Sequence, residues 1–205
     1  MLSPAEQENL ETYNKIAAAW TKLRADDFWL PELEKFRGYL PAGKVLDLGC
    51  GSGRDSHWLL KFGFEVWGVD FSEEQIRLAR AKNPAARYFV QNFYELDLPA
   101  ESFDGLWAAN SLLHVPKQNA AAVLQKVKAV LKPKAVAFIS MKEGSGQQME
   151  EWHHSGHKRF FVYYQQDEFG DILQNSGFTV LEKYKFSKRT SYQKDNFLIY
   201  FVRRG

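Results

Sequence analysis

Three glycines and three acids fall in a pattern that can hold a small charged ligand. The run Val45-Leu46-Asp47-Leu48-Gly49-Cys50-Gly51-Ser52-Gly53-Arg54-Asp55 takes an apolar strand into a loop with glycine at alternate positions, then into a helix. Glycine lets the chain turn sharply there and lets a ligand come close to the backbone. The spacing departs from the dinucleotide fingerprint G-x-G-x-x-G, whose third glycine would fall on Arg54. A dinucleotide sets its pyrophosphate at the helix N-terminus. Asp47 before the loop and Asp55 in the first helical turn would oppose that charge. They suit a ligand bearing an ammonium and a sulfonium. Asp70 closes the next strand, in Gly68-Val69-Asp70-Phe71, where a carboxylate can accept both hydroxyls of a ribose. The bland alternative is a set of turn glycines and an Asp55 that only complements the helix dipole. Asp70 at a strand end weighs against it.

These residues need a scaffold of alternating strands and helices. Ser3-Pro4-Ala5-Glu6 predicts a helix start with a capping box, and that helix runs to about Arg24 with Tyr13, Ile16, Ala17 and Trp20 on one face. A second helical stretch covers Phe28 to Tyr39. Strands are predicted at 44–48, 64–69, 87–90, 103–109 and 135–141, with helices at 54–62, 72–82 and 117–131 between them. Ser72 and Gln75 can form a second capping box. A helix at 167–176 stops at Gly177, and strands at 178–184 and 197–202 follow with no helix between them. The expected fold is a three-layer α/β/α sandwich around a seven-stranded, mostly parallel sheet with one antiparallel strand. One domain spans 1–205: N-terminal helices or lid at 1–40, a ligand-binding core at 41–141, an insertion or lid at 142–165, and a C-terminal helix and strands at 166–205. Gly144 to Gly146 is a joint into a polar insertion, Lys142 to Arg159, whose structure the pattern leaves open.

Bulk properties narrow the function. A chain of 205 residues with 45% apolar and 25% charged residues can bury a full core. The net charge of +2 gives no general footprint for nucleic acid or membrane. No apolar stretch is long enough to span a bilayer, and Met1 to Leu10 is polar and acidic, unlike a secretory signal. Cys50 is the single cysteine, so no intrachain disulfide forms. The expectation is a cytoplasmic protein, monomeric or a weak homodimer.

With these residues in view, the chain resembles the class I S-adenosylmethionine-dependent methyltransferases of the small bacterial kind. The likeness runs through Tyr13-Asn14-Lys15-Ile16-Ala17, Val45 to Asp55, Gly68-Val69-Asp70-Phe71-Ser72, Phe103 to Ala108, Ser111-Leu112-Leu113-His114-Val115, Phe160 to Tyr164 and Gly177-Phe178. It implies that S-adenosylmethionine is the cofactor and that no metal is needed. By resemblance, Gly49, Gly51 and Gly53 approach the methionine moiety and Asp47 helps hold its ammonium. Asp70 takes the ribose and Phe71 packs on the adenine. Asn92 and Phe93 match the adenine-edge pair, Asn110 lines the methionine end, and Tyr13 reaches the carboxylate or the methyl donor. Two positions depart from the family. Asn92 stands where aspartate is common, so its amide oxygen would meet the adenine amino group without charge. Lys134-Ala135 replaces a glycine pair, which implies another turn conformation there.

The acceptor side is less defined. His114 follows the fourth strand, where transfer would occur, and is the candidate base or acceptor-positioning residue. The alternative is a structural hydrogen bond before Pro116. His153, His154 and His157, near Glu150 and Glu151, could suggest a metal. Gly156 interrupts any helix there and no cysteine joins them, so no metal is expected. Tyr163 and Tyr164 are candidates for the acceptor wall or for plain packing. The bases Lys183, Lys185, Lys188, Arg189, Lys194, Arg203 and Arg204 face one acid, Asp195, in the last strands. RNA contact is conceivable there, but edge protection explains them more simply. A small-molecule acceptor is therefore expected rather than nucleic acid. The rival functions are a nucleotide-dependent oxidoreductase and a non-catalytic module that binds S-adenosylmethionine.

Overall fold

In the computed structural model, residues 2–23, 27–151, 155–187 and 196–205 are described. Helix α1 (Pro4–Leu23) starts as predicted: Glu6 N–H donates to Ser3 Oγ at 3.4 Å, and Ser3 N–H donates back to the Glu6 carboxylate at 2.8 Å. Helix α2 (Leu30–Tyr39) begins two residues later than expected, because Phe28 and Trp29 form a turn ahead of the proline-containing first turn. The core then alternates β1 (Lys44–Leu48), α3 (Arg54–Lys61), β2 (Glu65–Asp70), α4 (Glu73–Lys82), β3 (Arg87–Val90) and β4 (Phe103–Ala109). Single 3-10 turns at Leu112–His114 and Lys117–Asn119 lead into α5 (Ala120–Val130) and β5 (Leu131–Glu143). A hairpin of β6 (Gln147–Glu151) and β7 (Lys158–Tyr164) precedes α6 (Gln166–Asn175), β8 (Phe178–Phe186) and β9 (Phe197–Arg204).

The main sheet runs β3-β2-β1-β4-β5-β9-β8. The pairs β1–β2, β1–β4, β2–β3 and β4–β5 are parallel, and β9 is antiparallel to both β5 and β8. These seven strands, with β9 the antiparallel one, are those expected from the sequence; β7 on β5 and β6 on β7 extend the sheet to nine. Side chains alternate between two apolar layers. On one face Leu46, Leu48, Leu106, Ala108, Ala137 and Ile139 meet Val123, Leu124 and Val127 of α5 and Phe169 and Leu173 of α6. On the other, Val45, Trp107, Val136, Phe138 and Phe201 meet Leu33 and Phe36 of α2 and Leu59 of α3. Each fully buried Leu, Val or Phe contributes about 1.5–3 kcal/mol. Trp107 and Phe138 stack at 3.9 Å between ring centres.

The insertion is a pair of strands, which the polar composition concealed. β4 pairs with β5 only as far as Ser140, and β9 holds the opposite edge of β5 as far as Lys142. Lys142 and Glu143 then pair in parallel with Tyr163 and Tyr164 of β7. β7 therefore takes the place that β4 vacates, directly over the carboxyl end of the sheet. The turn at Lys134 also differs from expectation. Its φ of 65° is the left-handed conformation a glycine would take, so lysine keeps the turn rather than changing it.

Candidate active site

The carboxyl ends of β1, β2 and β4 converge on the glycine loop, where ligands of open parallel sheets bind. Gly49 and Cys50 donate their N–H groups to the Val69 carbonyl at 2.8 and 3.0 Å, which ties the loop to β2. Gly49, Gly51 and Gly53 have φ of 71°, 52° and 76°. At Gly49 space is as restrictive as dihedral: a Cβ there would stand 2.3 Å from Ser111 Cβ and 3.3 Å from Phe93 Cζ. The loop, Phe93 and the exit from β4 thus close on one another at this glycine.

Asp47 is 2% exposed and accepts a 2.5 Å hydrogen bond from Ser56 Oγ. Burial, reinforced by the nearby Asp55 charge, pushes its carboxyl up to about 8, against the Ser56 hydrogen bond and Arg54. Asp55 accepts from Trp107 Nε1 at 3.0 Å and from Arg54 Nε at 2.8 Å. Its carboxylate is thereby built into the fold, and it reaches a ligand through its field on Asp47. Asp70 closes β2 with one oxygen accepting Gly51 N–H at 3.0 Å and the other Ser72 N–H at 2.9 Å. Burial raises it to about 6 although these backbone bonds favour the charged form. The Phe71 N–H also favours the charged form, and the carboxylate keeps an acceptor site beyond these backbone donors. Asp70 also alters the predicted cap of α4. Ser72 Oγ accepts Gln75 N–H at 3.2 Å as expected, but Ser72 N–H goes to Asp70 instead of Gln75. Cys50 is buried, and burial with the surrounding carboxylates holds its thiol protonated.

Asn110 follows β4 with φ of 55°, an unusual conformation for a residue with a side chain. Ser140 of β5 locks it there, accepting its N–H at 2.8 Å and donating to its Oδ1 at 3.0 Å. Phe71 lies 6.2 Å from the Tyr13 ring. Asn92 faces its own turn: its amide oxygen accepts Tyr94 N–H and Glu95 N–H, both at 2.9 Å, and its amide nitrogen donates to Glu95 at 3.1 Å. That occupies both acceptor sites expected to serve adenine, because an unpaired oxygen in this position caps the nearest free backbone donors.

His114 joins three elements. Its Nδ1 lies 2.6 Å from the Phe160 carbonyl of β7, and its Nε2 lies 2.9 Å from the Tyr13 hydroxyl of α1. A carbonyl only accepts, so Nδ1 carries a proton, and in the neutral ring Nε2 then accepts from Tyr13. Sequence reasoning missed the residues that set this up. Asn9 is fully buried and grips Phe160 twice, donating to its carbonyl at 3.2 Å and accepting its N–H at 2.6 Å. Asn14 accepts from Ser72 Oγ at 2.6 Å and pins α1 to the start of α4. Glu6 is buried and takes the Tyr94 hydroxyl. The available signal was the polar series Glu6, Asn9 and Thr12, which extends the buried stripe of α1 one helical turn at a time.

His153, His154, Lys188, Arg189, Lys194 and Asp195 lie outside the described residues. His157 borders a groove of about 440 Å³ along α1, with Glu8, Glu11 and Lys15, that contains none of the site residues named above. Of the basic C-terminal residues, Lys183 pairs with Asp167, Lys185 with Glu143 and Arg204 with Glu101, at 2.6–2.8 Å. Among the described residues no helix is long and apolar enough to cross a membrane.

The glycine loop also fits the expected cofactor by its unfinished bonding. Ser111 Oγ is buried against Gly49 with no hydrogen-bond partner among the described residues, and so is Gln75 Oε1 near Gly51. Orphaned buried polar atoms beside a loop that excludes side chains fit a polar ligand brought close to the backbone. Three acids around them, with Arg54 already paired, fit a cationic one.

Residues 45–134 match the family model of a methyltransferase domain. Together with the fold, this makes the chain similar to the class I S-adenosylmethionine-dependent methyltransferases. It is 30% identical over 154 residues to a ubiquinone biosynthesis O-methyltransferase of Actinobacillus pleuropneumoniae, covering 66% of this chain and 64% of that one. The chain therefore spans less than two thirds of that relative's length. In structure it is similar to the 1,6-didemethyltoxoflavin-N1-methyltransferase of Burkholderia thailandensis, solved with 1,6-didemethyltoxoflavin and S-adenosylhomocysteine bound. The TM-score is 0.77 at 22% identity, over 100% of this chain and 91% of that one. A [4+2]-cyclase shares the fold with a TM-score of 0.79 at 14% identity, over 100% of this chain and 98% of that one. Likeness at such identities carries the architecture alone.

Proposed function

We propose that the chain transfers the methyl group of S-adenosylmethionine to a small-molecule acceptor. The observation that carries this is the closure of α1 over the exit from β4, through Tyr13 to His114 and through Asn9 to Phe160. A site roofed in this way takes a small ligand and sheds water. When bound, S-adenosylmethionine supplies a sulfonium methyl group that a nucleophile attacks in line. Asp47 with Gly49, Gly51 and Gly53 receives the methionine portion, and Asn110 lines that end. Asp70 takes the ribose hydroxyls. Phe71 and Phe93 pack on the adenine, with Asn92 beside them, and the Tyr13 ring bridges Phe71 to His114. His114 holds its proton at Nδ1, so a proton leaving the acceptor is taken at Nε2, directly or through the Tyr13 hydroxyl. The names of the relatives, which concern ubiquinone biosynthesis and a toxoflavin precursor, support a small acceptor.

The test is transfer of labelled methyl groups from S-adenosylmethionine into fractionated small molecules, RNA and protein at physiological salt. Label should enter the small-molecule fraction. Label accumulating on RNA, with loss of that transfer when Lys188 or Arg189 is replaced, would overturn the acceptor class. Absence of S-adenosylmethionine binding would overturn the activity.

A further inference from the structure

Strand β7 places Arg159, Phe161 and Tyr163 at alternate positions, so they share one face. The Arg159 guanidinium carbon lies 4.6 Å from the centre of the Trp20 ring, 4.9 Å from Phe161 and 6.0 Å from Tyr13. Phe161 and Tyr13 are also the rings that flank His114, at 4.8 and 5.4 Å. Arg159 and His114 therefore share two walls of one compartment between α1 and β7.

Within that compartment the guanidinium has ring faces but no oxygen. Its cross-strand partner is Glu150, yet the Glu150 carboxylate turns to Lys142, 3.1 Å away. Among the described residues no carboxylate or carbonyl meets Arg159, and its Nε is buried without a hydrogen-bond partner while the residue as a whole is partly exposed. Arg54, Arg80 and Arg204 each have an oxygen acceptor, on Asp55, Tyr88 and Glu101 respectively. Guanidinium is a planar fork of five donors that matches two oxygens of a carboxylate or phosphate. Stacked on aromatic faces, it is held in place before a ligand arrives. Glu150, drawn to Lys142, therefore does not neutralise Arg159.

From this geometry we propose that Arg159 is a specificity residue that binds an oxyanion group, carboxylate or phosphate, on the methyl acceptor. The inference rests on the small-molecule acceptor proposed above and names its chemical class.

Benzoate, benzamide and phenyl phosphate are suitable probes, titrated into the full-length chain with intrinsic tryptophan fluorescence, to which Trp20 contributes, or calorimetry as readout. Benzoate or phenyl phosphate should bind the wild-type protein at least about tenfold more tightly than benzamide, as expected for charge-assisted hydrogen bonds. Which of the two anions binds better identifies the oxyanion. The preference should vanish in Arg159→Gln and be partly kept in Arg159→Lys, which retains charge without the fork. Equal binding of charged and neutral probes to the wild type overturns the proposal, as does a preference that persists in Arg159→Gln. Should that variant fail to fold, unaltered anion preference in Arg159→Lys overturns it, and a reduced one supports it. A parallel titration with S-adenosylhomocysteine separates the two claims: failure of that ligand to bind counts against the methyltransferase activity and leaves the anion result standing on its own.

Discussion

The Tyr13 hydroxyl stands 2.9 Å from Nε2 of His114, a residue 101 positions further along the chain. This bond joins the first helix to the segment leaving β4, and the proton that His114 gives to the Phe160 carbonyl fixes which nitrogen accepts it. The same contact is a latch and, on the function proposed above, a route for a proton. The two roles separate by comparison: Tyr13→Phe removes the latch and leaves the Nε2 acceptor in place, whereas His114→Asn, whose amide can still donate to Phe160, removes the Nε2 acceptor as well. If His114 accepts the acceptor's proton, kcat should fall on the order of a hundredfold or more. S-adenosylhomocysteine affinity should hold. Stopped assays with a methylated small molecule measure the first, calorimetry the second. A kcat close to wild type would leave His114 as a latch only.

Asp47 makes the stability of the ligand-free protein depend on pH. Its carboxyl is raised in the folded state from an ordinary 3.8 to about 8, mainly by burial. The folded state therefore holds a proton that the unfolded state releases. Stability should decline as pH rises between these two values and level off above about 8. Asp70, raised to about 6, adds to the decline in the lower part of that window. Asp47→Asn should flatten the curve and stabilise the ligand-free protein at pH 7, because no carboxyl need then be buried or ionised. It should also weaken binding of the cationic cofactor, which favours the ionised form. Urea titrations across pH check the first expectation. Calorimetry in buffers of different ionisation enthalpy checks the second, since wild type should release protons on binding below pH 8 and the variant fewer.

Asp70 serves the fold and the ligand together. Replacing it by alanine leaves the Gly51 and Ser72 N–H groups without their acceptor. The cost to stability should be about 1–3 kcal/mol per orphaned donor that water does not reach. Cofactor affinity should fall by about 1.5–3 kcal/mol, the range for a lost charge-assisted hydrogen bond. Unchanged affinity in a folded Asp70→Ala protein would remove this carboxylate from the ribose.

The sheet and its glycine loop were legible because their signals are local. Strands such as Val45 to Leu48 are short apolar runs, and Gly49 to Gly53 marks its own turn. The cap of α1 was legible for the same reason, with Ser3 and Glu6 three residues apart. The β6–β7 hairpin was not. Gln147 to Glu151 carries one apolar residue, Met149, too few to show an alternation, and its pairing with β7 depends on where β4 happens to stop beside β5. The hydrogen bonds of Asn9 and the ring contacts of Arg159 were equally hidden, since each depends on α1 and β7, far apart in sequence, being brought together. Asn92 shows a local competition that the sequence hides. A family position suggested a ligand contact, but the free N–H groups of Tyr94 and Glu95 lie nearer and take its oxygen.

The roof over the site depends most on Asn9. It is fully buried, and both ends of its amide are used on one residue, Phe160. The Phe160 carbonyl also accepts from His114 Nδ1, so the backbone of one residue carries the attachment of both α1 and His114. Asn9→Ala would leave the Phe160 N–H buried without an acceptor, at a cost of about 1–3 kcal/mol. The opposite end of the helix contact, Asn14 on Ser72, is untouched by this change. The expected result is therefore local opening rather than global unfolding: amide exchange in α1 and in Phe160 should quicken while that of β1 and β4 stays slow. With the roof loosened, KM for the acceptor should rise and kcat should fall, because water reaches the transfer point and the Tyr13–His114 contact is less populated. Hydrogen exchange read by mass spectrometry on the ligand-free chain shows the opening directly. Exchange in α1 as slow as in the wild type would mean that Tyr13 and Asn14 hold the helix without Asn9.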